Sequence, residues 1–156
     1  MAQTEDSLLA RVDELLADAK TGILATIDEQ GRPVMRWMTP GTMKGRRGCL
    51  FAITSEKSAK VRQLRNNPQV QWMIQSRNLD RVVVLRGKVN IVESASLKME
   101  VFEQMGRRLR MAWRVNVNPE ECVVLETVLE DGVWYEPMKD VRETVRFGEG
   151  ERSGHE

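Results

Sequence analysis

The sequence predicts a mainly β protein: an antiparallel sheet of six to seven strands, rolled into a small barrel and flanked by α helices. Three observations carry this. Short runs of strand character recur along the 156-residue chain, most of them separated by only a few polar or glycine-bearing residues, as hairpins require. Helical patterns stand at the start, in the middle and before the last strands, which is not the alternation of a βαβ protein. Closing such a sheet on itself also removes its exposed edges.

The elements follow in order. Leu8, Leu9, Val12, Leu15 and Leu16 have the one-face spacing of an amphipathic helix over Thr4 to Ala19, with Gly22 as its stop. "ILATID" and "PVMRWMT" flank "EQGR", a hairpin whose Gly31 takes positive φ. Arg36 alternates with Met35 and Trp37 and so faces away from them. After the loop "GTMKGRRG", the run "CLFAIT" is a third strand, followed by a helix over residues 56–66 that Pro68 terminates. "VQWMIQ" and "RVVVLRGKVNIV" are strands four and five, joined by "SRNLD". In the fifth, Val83, Leu85, Val89 and Ile91 share one face, and Arg86, Lys88 and Asn90 the other. Ser94 to Gly106 is an amphipathic helix with Leu97, Val101, Phe102 and Met105 on one side. "CVVLETVL" and "VWYEPM" form a closing hairpin around "EDG". Residues 1–147 are expected to make one domain, and the polar tail 148–156 to be disordered.

Composition narrows the chemistry. With 41 % hydrophobic residues, 30 % charged residues and a net charge of +1, nothing draws the chain to nucleic acid or anionic lipid. Its opening residues lack a signal-peptide pattern, and its apolar runs fall far short of the ~20 residues a bilayer needs, so a cytoplasmic protein is expected. Cys49 and Cys122 lie in apolar strand-like runs and read as buried reduced thiols. The single histidine, His155, sits second from the end, which excludes a Ser-His-Asp arrangement and the usual zinc sites. Any chemistry therefore falls to a bound cofactor. Of the four tryptophans, core packing is the simpler reading for each; Trp134, beside Tyr135, is the best candidate for stacking on a planar ligand. Arg107, Arg108, Arg110 and Arg114 are either an anion-binding or nucleic-acid patch or helix-end charges that complement the dipole.

The junction "FAITSEKSAKVRQL" poses the sharpest question. Thr54, Ser58 and Lys60 stand where a strand meets a helix N-terminus, and such an end suits a phosphate. Arg36 could add a fork of donors from a neighbouring strand. The plainer alternative is that Ser55 or Ser58 caps the helix and the lysines are solvated. Spacing alone favours the cap.

Three segments, "GILATIDEQGRPVMRWMTP", "LFAITSEKSAKVRQLRNNPQVQWMI" and "RVVVLRGKVNIVES", together resemble the FMN-binding split-barrel superfamily, whose namesake is pyridoxamine 5'-phosphate oxidase. The similarity runs over residues 21–93 and is closest to the general-stress-protein branch. It implies a six- to seven-stranded antiparallel split β-barrel, FMN as cofactor, and a homodimer with the cofactor at the interface. By the same resemblance Arg36, Ser58 and Lys60 bind the flavin phosphate, with Ala59 standing where the family has a further arginine. The backbone of Trp37, Met38 and Thr39 lies along the ring, and Ile53 and Thr54 match a hydrophobic–threonine pair at the cofactor. Trp134 falls where an aromatic residue approaches the partner subunit's flavin. Val82 replaces a ring-contacting glutamine, and Gly41 the lysine that holds the oxidase's substrate phosphate. The expectation is an FMN-dependent oxidoreductase that does not oxidise pyridoxamine phosphate, its small-molecule substrate unspecified. The alternatives are a flavin carrier without turnover, or a deazaflavin or haem binder.

Overall fold

The computed structural model describes residues 4–113 and 119–148, with side chains except at 106–113 and 119. Helix α1 (Glu5–Ala19) buries Leu8, Val12, Leu15 and Leu16, and Thr4 and Ser7 cap its start reciprocally. It ends on Lys20, which takes left-handed φ 63°, and not on Gly22. Gly22 instead opens β1 (Gly22–Ile27), where an added Cβ would stand 3.2 Å from the Ile74 side chain.

The remaining strands are β2 (Pro33–Met38), β3 (Cys49–Ser55), β4 (Gln69–Gln75), β5 (Val82–Val92), β6 (Cys122–Glu136) and β7 (Val141–Arg146). All seven are antiparallel in one sheet, ordered β2-β1-β4-β5-β6-β3, with β7 paired to β6. Among the described residues the two ends of this path meet only at one bridge, where Gly41 and Phe51 exchange N–H···O bonds of 2.8 Å each. The result is a barrel left open between β2 and β3. Helices α2 (Ala59–Asn66) and α3 (Ala95–Trp113) flank it, and no helix among the described residues is long and apolar enough to cross a membrane.

Two features correct the sequence reading. The expected hairpin around "EDG" is one continuous strand: Gly132 pairs with Leu85 on one side and Val145 on the other. Its glycine serves close packing, since a Cβ there would lie 2.8 Å from Leu85 Cδ2 and 2.9 Å from Leu8 Cδ2. The true hairpin turn is Pro137–Lys139 with Asp140 at φ 54°, which makes a strand of the charged segment after it. Helix α3 also runs on to Trp113, past the expected end at Gly106. The side chains of Arg107, Arg108, Arg110 and Trp113 are not described, and Arg114 and the tail from 149 lie outside the described residues.

Strand alternation sends two sets of apolar side chains to two cores. Leu24, Leu50, Trp72, Leu85, Leu125 and Trp134 fill the barrel, closed at one end by α1. Trp72 Nε1 donates to buried Thr127 Oγ1 at 3.0 Å, so its polar edge is satisfied. Phe51, Ile53 and Val124 point the other way, into a smaller cluster with Val101 and Met105 of α3. Each such large side chain contributes about 1.5–3 kcal/mol on burial. Cys49 and Cys122 are free thiols at the edge of that cluster, and partial burial raises the pKa of both.

Candidate functional site

Strand β2 is an edge strand with a two-sided character. Arg36 and Met38 turn inward, while Met35 and Trp37 are 71 % and 79 % exposed. Arg36 stands opposite Leu24 in the β1–β2 register, and its Nη1 donates to Leu24 O at 3.2 Å and to Thr26 Oγ1 at 2.7 Å. Its Nη2 donates to Gln63 Oε1 at 3.2 Å, an oxygen that also accepts from Thr26 Oγ1 at 2.7 Å. Gln63 lies on α2, one turn beyond Lys60. Lys60 Nζ in turn donates to Thr54 Oγ1, at the end of β3, at 2.9 Å. Four elements thus bring Arg36, Thr54 and Lys60 together beside the opening of the barrel.

The charge balance here is unusual. Partial burial lowers the pKa of Arg36, and burial followed by the charge of Arg36 lowers that of Lys60. Neither has a carboxylate partner among the described residues; the neighbouring surface cations do, as in Arg62–Glu29 at 3.2 Å and Arg65–Glu93 at 3.9 Å. Two like charges held together, each partly withdrawn from water and without an acid among the described residues, form an incomplete arrangement.

Ser58 does not cap α2 through its side chain, although it occupies the N-cap position. Its Oγ is buried without any hydrogen-bond partner. The local turn is made by Ser55, whose exposed Oγ accepts from Lys57 N at 3.3 Å. A buried hydroxyl left unpaired costs about 1–3 kcal/mol. The donor set of Arg36, Lys60, Ser58 and Thr54 fits a phosphate monoester.

The other expected residues divide. Met38 and Thr39 are each 5 % exposed, and Ile53 is 2 % exposed within the α3 cluster, so the side chains of these three are closed to a ligand. Trp134 is a correction. It stands opposite Val83 on the barrel's inward face, is 2 % exposed, and carries the Arg11 guanidinium 4.9 Å over its ring, so it has no face free for a flavin. Thr26 and Gln63, buried partners of Arg36, escaped the sequence reading. The available signals were the inward alternation of Leu24 and Thr26, and the three-residue step from Lys60 to Gln63.

On the outside of the sheet, Trp37, Ile23, Met73, Val84 and Val133 lie in register across five strands, all incompletely buried. Beside them is a groove of about 210 Å³, lined in part by Trp37, Ile23, Met73 and Leu79.

A model of the family described as Pyridoxamine 5'-phosphate oxidase matches residues 8–133, well over half of the chain. No curated protein matches. Among solved structures, the chain is similar to a protein related to general stress protein 26 from Clostridium acetobutylicum, with 18 % identity and a TM-score of 0.73 over 93 % of this chain and 97 % of that one. It is also similar to a pyridoxamine 5'-phosphate oxidase-related, FMN-binding protein from Nostoc punctiforme, with 14 % identity and a TM-score of 0.64 over 86 % and 87 %. A haem-binding protein from Mycobacterium smegmatis aligns at 17 % identity and a TM-score of 0.66, covering 85 % of this chain and 55 % of that one. At these identities the likeness to the solved structures is one of fold.

Proposed function

The chain belongs to the pyridoxamine 5'-phosphate oxidase family, and from that premise we propose that it is an FMN-binding flavoprotein of the cytoplasm, an oxidoreductase that does not act on pyridoxamine phosphate. The observation that carries this reading is the pair of half-buried cations, Arg36 and Lys60, without an acid partner among the described residues, with the unpartnered hydroxyl of Ser58 at the start of the helix that carries Lys60. Arg36, Lys60, Ser58 and Thr54 would hold the phosphate. The main chain of residues 37–39 and 53–54 would face the ring. When bound, FMN supplies acceptance of a hydride or electrons at its N5, chemistry that the protein's side chains do not offer.

The residues themselves bind and orient. Arg36 provides directional donors from a rigid strand, and Lys60 a compact charge from the first turn of α2. Ala59, exposed at the position of the family's additional arginine, leaves this grip with one cation fewer. At Gly41, the counterpart of the oxidase's substrate lysine, a Cβ would stand 2.9 Å from Met105 Cε, the end of a flexible side chain that would have to shift. The lysine itself is absent from this position, which supports a different substrate.

The apolar row from Trp37 to Val133 supports a homodimer, because a patch of this kind on a soluble protein marks an interface. A second subunit docked on this row would lie next to β2, the strand that carries Arg36. A haem reading has less support, since the sequence holds one histidine, His155.

The test compares two double variants. Arg36→Ala with Lys60→Ala should weaken FMN binding at least about a hundredfold, two charge-assisted contacts being lost. Lys57→Ala with Arg65→Ala, which removes exposed cations of the same helix region, should leave it within about twofold. Equal effects would misplace the phosphate. Purified protein without flavin absorbance that also fails to take up FMN would sink the reading.

A further inference from the structure

We propose that Gln63, together with Thr26, is a positioning residue that aims Arg36 at the phosphate while leaving its charge uncompensated. The inference rests on the phosphate reading above. A half-buried arginine is ordinarily held by a carboxylate, which satisfies its donors and cancels its charge. Here that place is taken by two neutral oxygens. Thr26 Oγ1 and Gln63 Oε1 lie 2.7 Å apart, and each accepts from a different terminal nitrogen of Arg36, at 2.7 and 3.2 Å. They meet the guanidinium much as the two oxygens of a carboxylate would, without the negative charge.

Donor arithmetic gives the consequence. Arg36 commits two N–H groups of Nη1, to Leu24 O and Thr26 Oγ1, and one of Nη2, to Gln63 Oε1. A guanidinium has five such donors, so one on Nε and one on Nη2 remain. That edge can present a parallel fork suited to two phosphate oxygens. Thr26 and Gln63 are 1 % and 8 % exposed, so the anchor is shielded from water and fixed by β1 and α2. Gln63 also shares its helix with Lys60, and this ties the position of the ammonium to that of the guanidinium.

The experiment uses two variants of the full chain, Gln63→Glu and Gln63→Met, with affinities for FMN and for riboflavin measured by flavin fluorescence and the thermal midpoint of the flavin-free protein measured beside them. Gln63→Glu installs the missing carboxylate. The flavin-free midpoint should hold or rise, while the preference for FMN over riboflavin falls roughly ten- to a hundredfold. Gln63→Met keeps the volume and removes the acceptor; its midpoint should drop, yet its preference should fall by less than that of Gln63→Glu. A glutamine that only supports the fold would make binding track stability in both variants. Wild type preferring FMN while Gln63→Glu keeps that preference overturns this inference alone, as do equal losses in the two variants or a Gln63→Glu chain that fails to fold. Wild type with no preference for FMN overturns the phosphate reading, and this inference with it.

Discussion

Raising the pH should release the flavin through Lys60, and the structure gives the sign and the bound of the effect. In the flavin-free protein, burial and then Arg36 hold the Lys60 pKa below 10.5. A phosphate beside the ammonium acts the other way and raises it. Below the depressed value Lys60 is charged in both states, and affinity is flat with respect to this group. Above it the free protein must take up a proton to bind, so affinity falls, with a slope of at most about one decade per pH unit. The total loss is bounded by the lysine's own contribution. One Lys60 N–H goes to Thr54 Oγ1 at 2.9 Å, and the others are available to the ligand. A charge-assisted contact of about 1.5–3 kcal/mol corresponds to a drop of roughly ten- to 150-fold. Because the flavin ring also titrates, the quantity to follow is the ratio of FMN to riboflavin affinity, measured by fluorescence quenching from pH 5 to 10.5. The ratio should also decline below about pH 6, where the phosphate takes up its second proton. Lys60→Arg should flatten the alkaline limb, since arginine does not titrate there. Stability of the flavin-free fold runs the opposite way: the unfolded chain binds the extra proton, so this group's contribution improves as pH climbs toward 10.5. A ratio that stays level or climbs through the alkaline range would refute the placement of Lys60.

Three further outcomes follow. Ser58→Ala removes a buried hydroxyl that has no partner, so the flavin-free protein should be unchanged or more stable by up to about 1 kcal/mol while FMN binding weakens several-fold; a clear loss of stability in a chemical denaturation series would show that the hydroxyl already has a structural role. Gly87→Ala places a Cβ 2.2 Å from Val128 O at the β5–β6 bulge, where backbone must move, and should cost at least about 2 kcal/mol in denaturant unfolding; a neutral result would mean the bulge relaxes freely. Trp37→Glu puts a charge in the outer apolar row, and should shift sedimentation from dimer to monomer without harming the fold; unchanged sedimentation of a dimer would locate the interface elsewhere.

What could be read from the chain alone was whatever is local. Arg36 facing opposite to Trp37 is a matter of strand alternation. Thr54, Ser58 and Lys60 form a contiguous junction whose composition advertises itself. Thr26 and Gln63 do not. A threonine inside "ILATID" looks like ordinary strand filler, and a glutamine in "AKVRQL" looks solvated. Their bond spans 37 residues of sequence, and only the packing of α2 onto β1 brings it about. The same limit explains the β6 error. Acidic residues beside a glycine have the composition of a turn, whereas Gly132 is dictated by Leu8, which arrives from the other end of the chain. Trp134 was misjudged for a related reason. Its place beside Tyr135 suggested a stacking surface, but the next strand turns back and pairs with it through Glu143, and the indole lies inside.

The lone clasp between Gly41 and Phe51 has a consequence for how the molecule breathes. Their reciprocal pair stands outside any ladder on the Gly41 side, so it can part without unravelling a strand. The exchange of those amide protons with solvent deuterium therefore reports the seam by itself, separately from the slow exchange of β5 and β6. A guest lodged across the seam would lengthen their lifetimes and spare the rest of the sheet, so two resonances would serve as a gauge of occupancy in protein whose chromophore is bleached or exchanged.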